Sequence, residues 1–199
     1  TPAGHILLNT TYERNVEGIR NSIEALGFQF SDVRVVLGNH AHGDHMEGNA
    51  LVQALTGAEV VVMAADRTML EGITPGGRPH PVDRTVTDGQ EVELGGIVLT
   101  AHLTAGHTPG CTAWTTTVQE GGRGYDVVFF CSLRATGPLT PERITQFERS
   151  LEVVRQLACD VPLGDHPAQY RMEEKYRRLR DGNPLAFVDP TGCTTEAEI

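Results

Sequence analysis

Cysteine is scarce in this sequence of 199 residues, which contains only four. That number is too small for a fold built around disulfides. No two of the cysteines have the close CxxC spacing that is typical of a structural zinc site. One disulfide remains possible, and the composition does not identify its partners. The four residues are Cys111, Cys131, Cys159 and Cys193.

Basic residues and long apolar runs are also few. Lysine and arginine number 16 against 26 acidic residues, which gives a formal net charge of -10. Nucleic-acid-binding proteins need clustered positive charge, so we expect a small-molecule partner and no nucleic acid. The longest apolar run, 60–65, is far too short to span a bilayer, and we expect no membrane partner. The chain opens without a charged-then-apolar stretch, so any export signal is expected to have been removed. No feature of the sequence indicates an oligomeric state.

The first half of the chain alternates predicted strands and helices, an order typical of helices packed on a sheet. The run 33–37 is almost continuously apolar, which predicts a strand covered on both faces. Apolar residues at three- and four-residue steps predict a helix over 16–26, which Gly27 ends. The glycine- and proline-rich segment 73–83, which contains His80, is expected to be a surface loop. Further strands are predicted at 5–9 and 59–63, and further helices at 47–55 and 65–70.

The second half of the chain predicts mainly hairpins. Gly95-Gly96 is a hairpin turn signal, and the glycine-rich segment 121–124 predicts a looser loop between two longer strands. Proline at the first turn begins a long helix. With no repeat or linker, we expect residues 1–199 to form a single domain, in which two mixed sheets lie between layers of helices. The predicted strands are 91–94, 97–100, 111–118, 125–130 and 160–163, and the predicted helices are 141–157 and 170–180.

Three histidines and an aspartate follow the apolar run 33–37 directly: His40, His42, Asp44 and His45. Neutral imidazole and carboxylate are suitable ligands for zinc. If the residues after the run are extended, His40 and His42 point the same way, because side chains alternate along a strand. Asp44 and His45 come after the bend at Gly43 and can face a neighbouring position. The spacing therefore predicts half of each of two metal sites.

Two further histidines follow predicted strands. His107 lies in the glycine-flanked segment 104–110, and His166 lies in 163–167. Taken alone, each is more typical of a surface or capped histidine. Three protein ligands with an open position are the catalytic form of a zinc site, and five histidines with one aspartate supply that set twice. We expect His5, His80 and His102 to be structural, with His102 a candidate hydrogen-bond donor to a metal ligand.

The motifs HxHxDH at 40–45, GHTPG at 106–110 and GDHP at 164–167 resemble those of the metallo-β-lactamase superfamily. The resemblance covers essentially the whole chain. It implies an α/β fold, the four-layer αββα sandwich, with the metals at the edge where two sheets meet. The superfamily includes glyoxalase-two-type thioesterases, lactonases and the zinc β-lactamases.

The segment after residue 130 resembles one branch of that superfamily. Most of its hydrolases carry an aspartate there that bridges two metals, whereas this chain has Cys131 and Ser132. Ser132 stands 25 positions after His107, as in the third subclass of zinc β-lactamases. The motifs GCTAW at 110–114 and LACDV at 157–161 are similar to that subclass as well. The likeness implies a disulfide between Cys159 and Cys193, and it leaves Cys131 open as an alternative metal ligand.

The resemblance implies that this chain hydrolyses the β-lactam amide of antibiotics, which would make it an antibiotic-resistance enzyme. In the mechanism that this resemblance implies, two Zn²⁺ ions would activate a water, and the resulting hydroxide would attack the β-lactam carbonyl. Asp44 orients this nucleophile. Ser132 hydrogen-bonds the substrate carboxylate, the alternative being a serine that only caps a turn. The implied ligands are His40, His42 and His107 for one zinc ion, and Asp44, His45 and His166 for the other.

The chain also departs from the family pattern. Asn9 stands where relatives usually have an aspartate, and the segment between Ser132 and Pro141 is shorter than usual. About two strands that relatives carry before the position of Thr1 are expected to be missing. Two alternatives therefore stay open: a thioester or lactone hydrolase similar to glyoxalase two, and a zinc-binding domain with impaired catalysis. By resemblance, the expected location is the bacterial periplasm or the extracellular medium.

Overall fold

The computed structural model describes residues 1–134 and 138–195. Over these two ranges the chain forms nine β-strands and seven α-helices. The strands are β1 (His5–Leu8), β2 (Val33–Leu37), β3 (Glu59–Met63), β4 (Arg84–Val86), β5 (Glu91–Leu94), β6 (Ile97–Leu103), β7 (Thr112–Glu120), β8 (Arg123–Phe130) and β9 (Val161–Gly164). The helices are α1 (Val16–Ala25), α2 (Gly43–Met46), α3 (Asn49–Thr56), α4 (Arg67–Glu71), α5 (Pro141–Gln156), α6 (Met172–Arg180) and α7 (Pro190–Thr195).

The first sheet has the strand order β1-β2-β3-β4. Each neighbouring pair in it is parallel. Helical crossovers connect β1 to β2, β2 to β3 and β3 to β4, and such crossovers return the chain in the same direction. The expectation that both sheets would be mixed is therefore wrong for this sheet. Because its strands are parallel, their carboxyl ends share one edge.

The second sheet has the order β5-β6-β7-β8-β9 and is antiparallel up to β8. The last pair, β8 and β9, is parallel because α5 intervenes between them. The β7–β8 connection is a tight turn rather than the expected loose loop, since Glu120 pairs directly with Arg123. Gly121 and Gly122 both have positive φ, 58° and 81°, as a two-residue type I′ hairpin turn requires.

Three apolar cores separate four layers. Along β2, neighbouring side chains alternate between two of them: Val36 packs toward α1 and α3, whereas Val35 and Leu37 pack between the two sheets. Trp114 of β7 is fully buried in the core between the sheets. The third core lies between β8 and α5, where Val128 contacts the helix. This layering is the expected αββα sandwich.

Two disulfides link the described cysteines, one more than the composition suggested. Cys159–Cys193, which the resemblance implied, joins the segment before β9 to α7. Cys111–Cys131 joins the residue before β7 to the residue after β8. Since Cys131 is oxidised, it has no thiolate to offer, and the alternative that it binds metal is wrong for this chain.

Several local elements differ from expectation. The short strand β4 and helix α7 carry no periodic pattern, and pairing with β3 and the disulfide at Cys193 hold them in place. His80 is only 5 % exposed, although its segment was expected to be a surface loop. The expected short segment between Ser132 and Pro141 lies partly outside the described residues. No helix in the described ranges has both the length and the apolar character needed to cross a bilayer.

His80 predicts a pH dependence of stability. Its Nε2 lies 2.9 Å from the carbonyl oxygen of Met46, and burial lowers its pKa, against the raising effect of that hydrogen bond. An unfolded histidine titrates near pH 6.5, so below that pH the unfolded chain binds more protons than the folded chain. The contribution of His80 to the free energy of unfolding is therefore fully present above about pH 6.5 and decreases as the pH is lowered.

Urea denaturation of wild type and His80→Gln from pH 7.5 to pH 5 measures this effect. Glutamine keeps a donor for the Met46 carbonyl and cannot be protonated. We expect the free energy of unfolding of wild type to exceed that of His80→Gln at pH 7.5, and this difference to decrease as the pH falls. A constant difference across the range would contradict the assignment.

Candidate metal centre

The sequence-predicted ligands converge where three strands end. The segment 40–45 follows β2, His107 follows β6, and His166 follows β9. The backbone at 40–42 is not a regular strand, because the His42 N–H donates to the His40 carbonyl at 3.0 Å, although His42 itself is extended with φ -100° and ψ 153°. The two histidine rings nevertheless lie close together, with ring centroids 4.8 Å apart.

His40, His42 and His107 form the first group. The His42 Nδ1 and His107 Nε2 atoms are 3.1 Å apart, and the ring centroids of His40 and His107 are 4.5 Å apart. One nitrogen from each ring lies within 4.8 Å of the other two. Nitrogens that share one zinc ion at about 2.05 Å are separated by about 3.3 Å. Small side-chain adjustments would therefore place all three around one ion.

Asp44, His45 and His166 form the second group. The Asp44 Oδ2 atom lies 3.3 Å from His45 Nε2 and 3.8 Å from His166 Nε2. The rings of His45 and His166 have centroids 4.9 Å apart. His40 and His45 have centroids 4.1 Å apart, so the two groups are adjacent. All six sequence-predicted ligands are thus brought together.

The donors of both groups fit a metal ion. Within the described ranges, the Nε2 atoms of His40 and His45 are buried without a hydrogen-bond partner. Buried polar atoms are rarely left unpaired, and two such atoms facing one cluster of nitrogen and oxygen donors indicate a site for a cation. The donor set, imidazole with carboxylate, suits zinc.

Burial favours the neutral, metal-binding form of His42, His45 and His107. It lowers the pKa of His42 and His107, and in His42 the positive charge that His40 would carry adds to the effect. For His45, burial and the nearby His40 lower the pKa to about 4. Neutral imidazole at pH 7 has a lone pair to donate.

Two hydrogen-bond acceptors orient the first group. The buried Asp165 carboxylate lies 3.3 Å from His40 Nδ1 and also accepts the Ser132 N–H at 3.0 Å. Burial alone would raise the pKa of Asp165, but His40 and the other histidines nearby hold it below its usual value. The Arg134 carbonyl lies 2.8 Å from His107 Nδ1. An acceptor at Nδ1 fixes the proton there and leaves Nε2 able to bind a metal.

A single buried carboxylate joins the two loops of the first group. Asp66, which is 1 % exposed, accepts the Ala41 N–H at 2.8 Å, the Thr108 hydroxyl at 2.8 Å and the Gly110 N–H at 2.6 Å. Ala41 lies between two ligands, and Thr108 follows a third. Asp66 therefore fixes the segment 40–42 relative to the segment 107–110.

Sequence reasoning missed both of these supporting carboxylates. Asp165 is adjacent to His166 in the sequence, and that position after a strand is a signal that could have found it. Asp66 gives no such signal, because it is 24 positions from His42 and 41 from His107. The proposed role of His102 as a donor to a ligand does not hold, since its Nε2 lies 2.8 Å from the Thr115 hydroxyl on the sheet.

Ser132 lies beside the first group. It is 5 % exposed, which leaves little of the side chain accessible. Its backbone N–H is the group that contacts Asp165. Its location between Cys131 and Leu133 places it near the His40 ring, because Cys131 Sγ is 3.6 Å from His40 Nδ1.

A family model described as the metallo-beta-lactamase superfamily matches residues 3–119, more than half of the chain. The chain belongs to the metallo-β-lactamase superfamily. The expected family is confirmed, and so is the fold that the motifs implied. Members of this superfamily bind metal ions, in agreement with the side-chain clusters described above.

Solved metallo-β-lactamases match the whole chain. The native FEZ-1 metallo-β-lactamase from Legionella gormanii has 37 % sequence identity and a TM-score of 0.93, and the match covers 100 % of this chain and 82 % of that one. BJP-1, a subclass B3 metallo-β-lactamase of Bradyrhizobium japonicum, has 36 % identity and a TM-score of 0.89 over 100 % and 81 % of the two chains. The likeness to the third subclass is therefore confirmed.

Curated relatives have a different name. A hydroxyacylglutathione hydrolase of Methylococcus capsulatus is 31 % identical over 146 residues, which cover 71 % of this chain and 50 % of that protein. One of Rhodospirillum rubrum is 34 % identical over 98 residues, 49 % of this chain and 34 % of that protein. The chain thus spans half or less of the length of these two relatives.

The Asp66 contacts predict a loss of metal affinity in Asp66→Asn. Asparagine presents an amide N–H₂ where one oxygen now accepts, so at least one buried donor loses its partner, at a cost of about 1–3 kcal/mol. Because Asp66 fixes both histidine loops, we expect zinc affinity at the first group to fall by about 10–100-fold. Competition against a chromophoric chelator measures that affinity.

Asp83→Asn is the matched control. The Asp83 Oδ2 atom accepts the Val60 N–H at 2.8 Å and the Gln53 amide at 2.6 Å, away from the histidine cluster. We expect this variant to lose stability while it keeps wild-type zinc affinity. Equal zinc affinities in the two variants would refute the role of Asp66.

Proposed function

We propose that this protein is a zinc-dependent β-lactamase that acts on small-molecule β-lactam antibiotics. The observation that carries the proposal is the match of the whole chain to subclass B3 enzymes, with a TM-score of 0.93 and 37 % identity to FEZ-1. The sequence supports it further, because Cys131 and Ser132 stand where the resemblance places the bridging aspartate of most other hydrolases of the superfamily.

The two groups of side chains would hold two zinc ions. His40, His42 and His107 would bind one, and Asp44, His45 and His166 would bind the other. When bound, zinc polarises a carbonyl and lowers the pKa of water in the site toward neutrality.

The protein's own residues supply orientation and proton handling. The Asp44 carboxylate faces both His45 and His166, and its side chain is 38 % exposed. Water and substrate can therefore reach it. We assign Asp44 the roles of orienting the attacking water and holding its proton at Oδ2. Ser132 would donate a hydrogen bond to the carboxylate of the substrate.

A thioester hydrolase is the second candidate. The curated relatives named hydroxyacylglutathione hydrolase support it at 31–34 % identity. Their matches cover only 34 % and 50 % of the relatives' lengths, whereas the match to FEZ-1 covers 82 % of that chain and 100 % of this one. We therefore rank thioester hydrolysis below β-lactam hydrolysis.

The two disulfides support an extracytoplasmic location. Disulfides persist in oxidising compartments such as the bacterial periplasm. We propose that the protein works in the periplasm or is secreted, where β-lactam antibiotics would meet it.

Two substrates with and without a chelator distinguish the candidates. A chromogenic cephalosporin reports β-lactam opening, and an acyl-glutathione thioester reports the rival reaction. We expect turnover of the cephalosporin that exceeds thioester turnover, that stops with the chelator, and that returns with Zn²⁺. Thioester turnover alone would overturn the proposal in favour of the second candidate.

Ser132→Ala tests the substrate contact. A hydrogen bond to a charged group contributes about 1.5–3 kcal/mol, so its loss is expected to raise KM for the cephalosporin by about tenfold or more while kcat changes little. Ser22→Ala is the control, since the Ser22 hydroxyl donates to the Gly18 carbonyl within helix α1, at an exposed position. An unchanged KM in Ser132→Ala would show that the serine only caps a turn.

A further inference from the structure

A strained turn encloses one member of the second group. After β1, Asn9 and Thr11 both have positive φ, 62° and 53°, a conformation that costs energy in residues other than glycine. The backbone N–H groups of Thr10 and Thr11 donate to the His45 carbonyl at 2.8 and 3.0 Å. The turn thus holds Asn9 against the His45 ring.

Backbone groups fix the orientation of the Asn9 amide. The Asn39 backbone N–H, which can only donate, points at Asn9 Oδ1 at 3.0 Å, so the other atom of the Asn9 amide is Nδ2. The Asn39 amide is fixed in the same way, because its Nδ2 donates to the Thr112 carbonyl at 2.9 Å. Its Oδ1 then accepts from Asn9 Nδ2 at 2.9 Å. Reversing the Asn9 amide would place donor against donor and oxygen against oxygen.

This arrangement determines which nitrogen of His45 carries the proton. Asn9 Nδ2 lies 3.3 Å from His45 Nδ1. An amide nitrogen only donates, and a neutral imidazole has one N–H and one acceptor nitrogen. His45 Nδ1 is therefore the acceptor, and the proton lies on Nε2. Nε2 is also the nitrogen that is 3.3 Å from Asp44 and faces the second group.

Two of the three ligands in the first group have the opposite arrangement, while the third, His42, presents Nδ1 to the site, 3.1 Å from His107 Nε2. His40 Nδ1 faces the Asp165 carboxylate, and His107 Nδ1 faces the Arg134 carbonyl. Both partners are acceptors and favour a proton on Nδ1, which frees Nε2 for a metal. For His45 to bind through Nε2, its proton must move to Nδ1, where it would meet the N–H₂ of Asn9.

We propose that Asn9 makes the site of Asp44, His45 and His166 the weaker of the two zinc sites, so that the ions bind in sequence. The inference depends on the ligand assignment made under the proposed function. Replacing the partner of a ligating histidine typically changes metal affinity by about 10–100-fold, which is the expected penalty on the second zinc ion. At low zinc the chain would hold one ion, bound by His40, His42 and His107.

The tautomers can be observed directly in wild-type protein freed of metal. Two-bond ¹H–¹⁵N correlation spectra distinguish a protonated Nε2 from a protonated Nδ1. We expect His45 to be protonated on Nε2, and His40 and His107 on Nδ1. A His45 ring protonated on Nδ1 would overturn the inference without bearing on β-lactam hydrolysis.

Zinc titration of Asn9→Asp/Asn39→Ser tests the consequence. The aspartate offers His45 Nδ1 an acceptor, and the serine removes the Asn39 oxygen that would otherwise lie 2.9 Å from a carboxylate. We expect the dissociation constant of the second zinc ion to fall by about 10–100-fold, while that of the first changes little. Competition against a chromophoric chelator measures both constants.

Two control variants separate the tautomer effect from other causes. Asn39→Ser alone reports the cost of losing the Thr112 contact, and Asn15→Asp adds the same charge at an exposed position next to the turn. Tighter binding of the second zinc ion in the double variant, and in neither control, supports the inference. Equally tighter binding in Asn15→Asp, or no change in the double variant, would overturn it. Failure of wild type and double variant alike to take up a second zinc ion would contradict the ligand assignment itself.

Discussion

An imidazole has two ring nitrogens, and only one of them can face a metal ion. The other must be held by the protein, and the group that holds it decides where the proton lies. In this structure, the two groups at the strand ends differ in how they meet that requirement. Acceptors hold His40 and His107, whereas a donor holds His45.

The surrounding fold holds those hydrogen-bond partners in place. Asp66 joins two loops that belong to different sheets, and Asp165 reaches His40 from the end of β9. The Trp114 indole N–H donates to the Gly38 carbonyl at 3.1 Å, which connects the second sheet to the residue just after β2. Buried hydrogen bonds of this kind are costly to leave unmade, so the loops are fixed relative to each other before any ion binds.

If the two zinc sites differ in affinity, the number of bound ions depends on the surroundings of the protein. A protein that holds one ion tightly and a second weakly would respond to the zinc concentration around it. The strained turn at Asn9 and Thr11 would then be an element of regulation as well as of structure.

Much of the fold follows from local pattern. The apolar runs at β2 and β3 were predicted residue for residue, because buried parallel strands are almost continuously apolar. The helix at α5 was predicted to within one residue, because Pro141 and the apolar stripe mark it. The strand β4 and the helix α7 were missed, since three-residue pairing and a disulfide, rather than local propensity, hold them in place.

The sequence by itself determined the family and the six candidate ligands, because HxHxDH concentrates those side chains in one short segment and the later motifs mark strand ends. Only the tertiary structure decided how each ring is oriented. The groups that set orientation, Asp66, Asp165, Asn9 and the Arg134 carbonyl, lie between 24 and 125 positions from the ligands they serve. Hydrogen-bond direction depends on which atoms meet in space, and residue spacing along the sequence does not predict it.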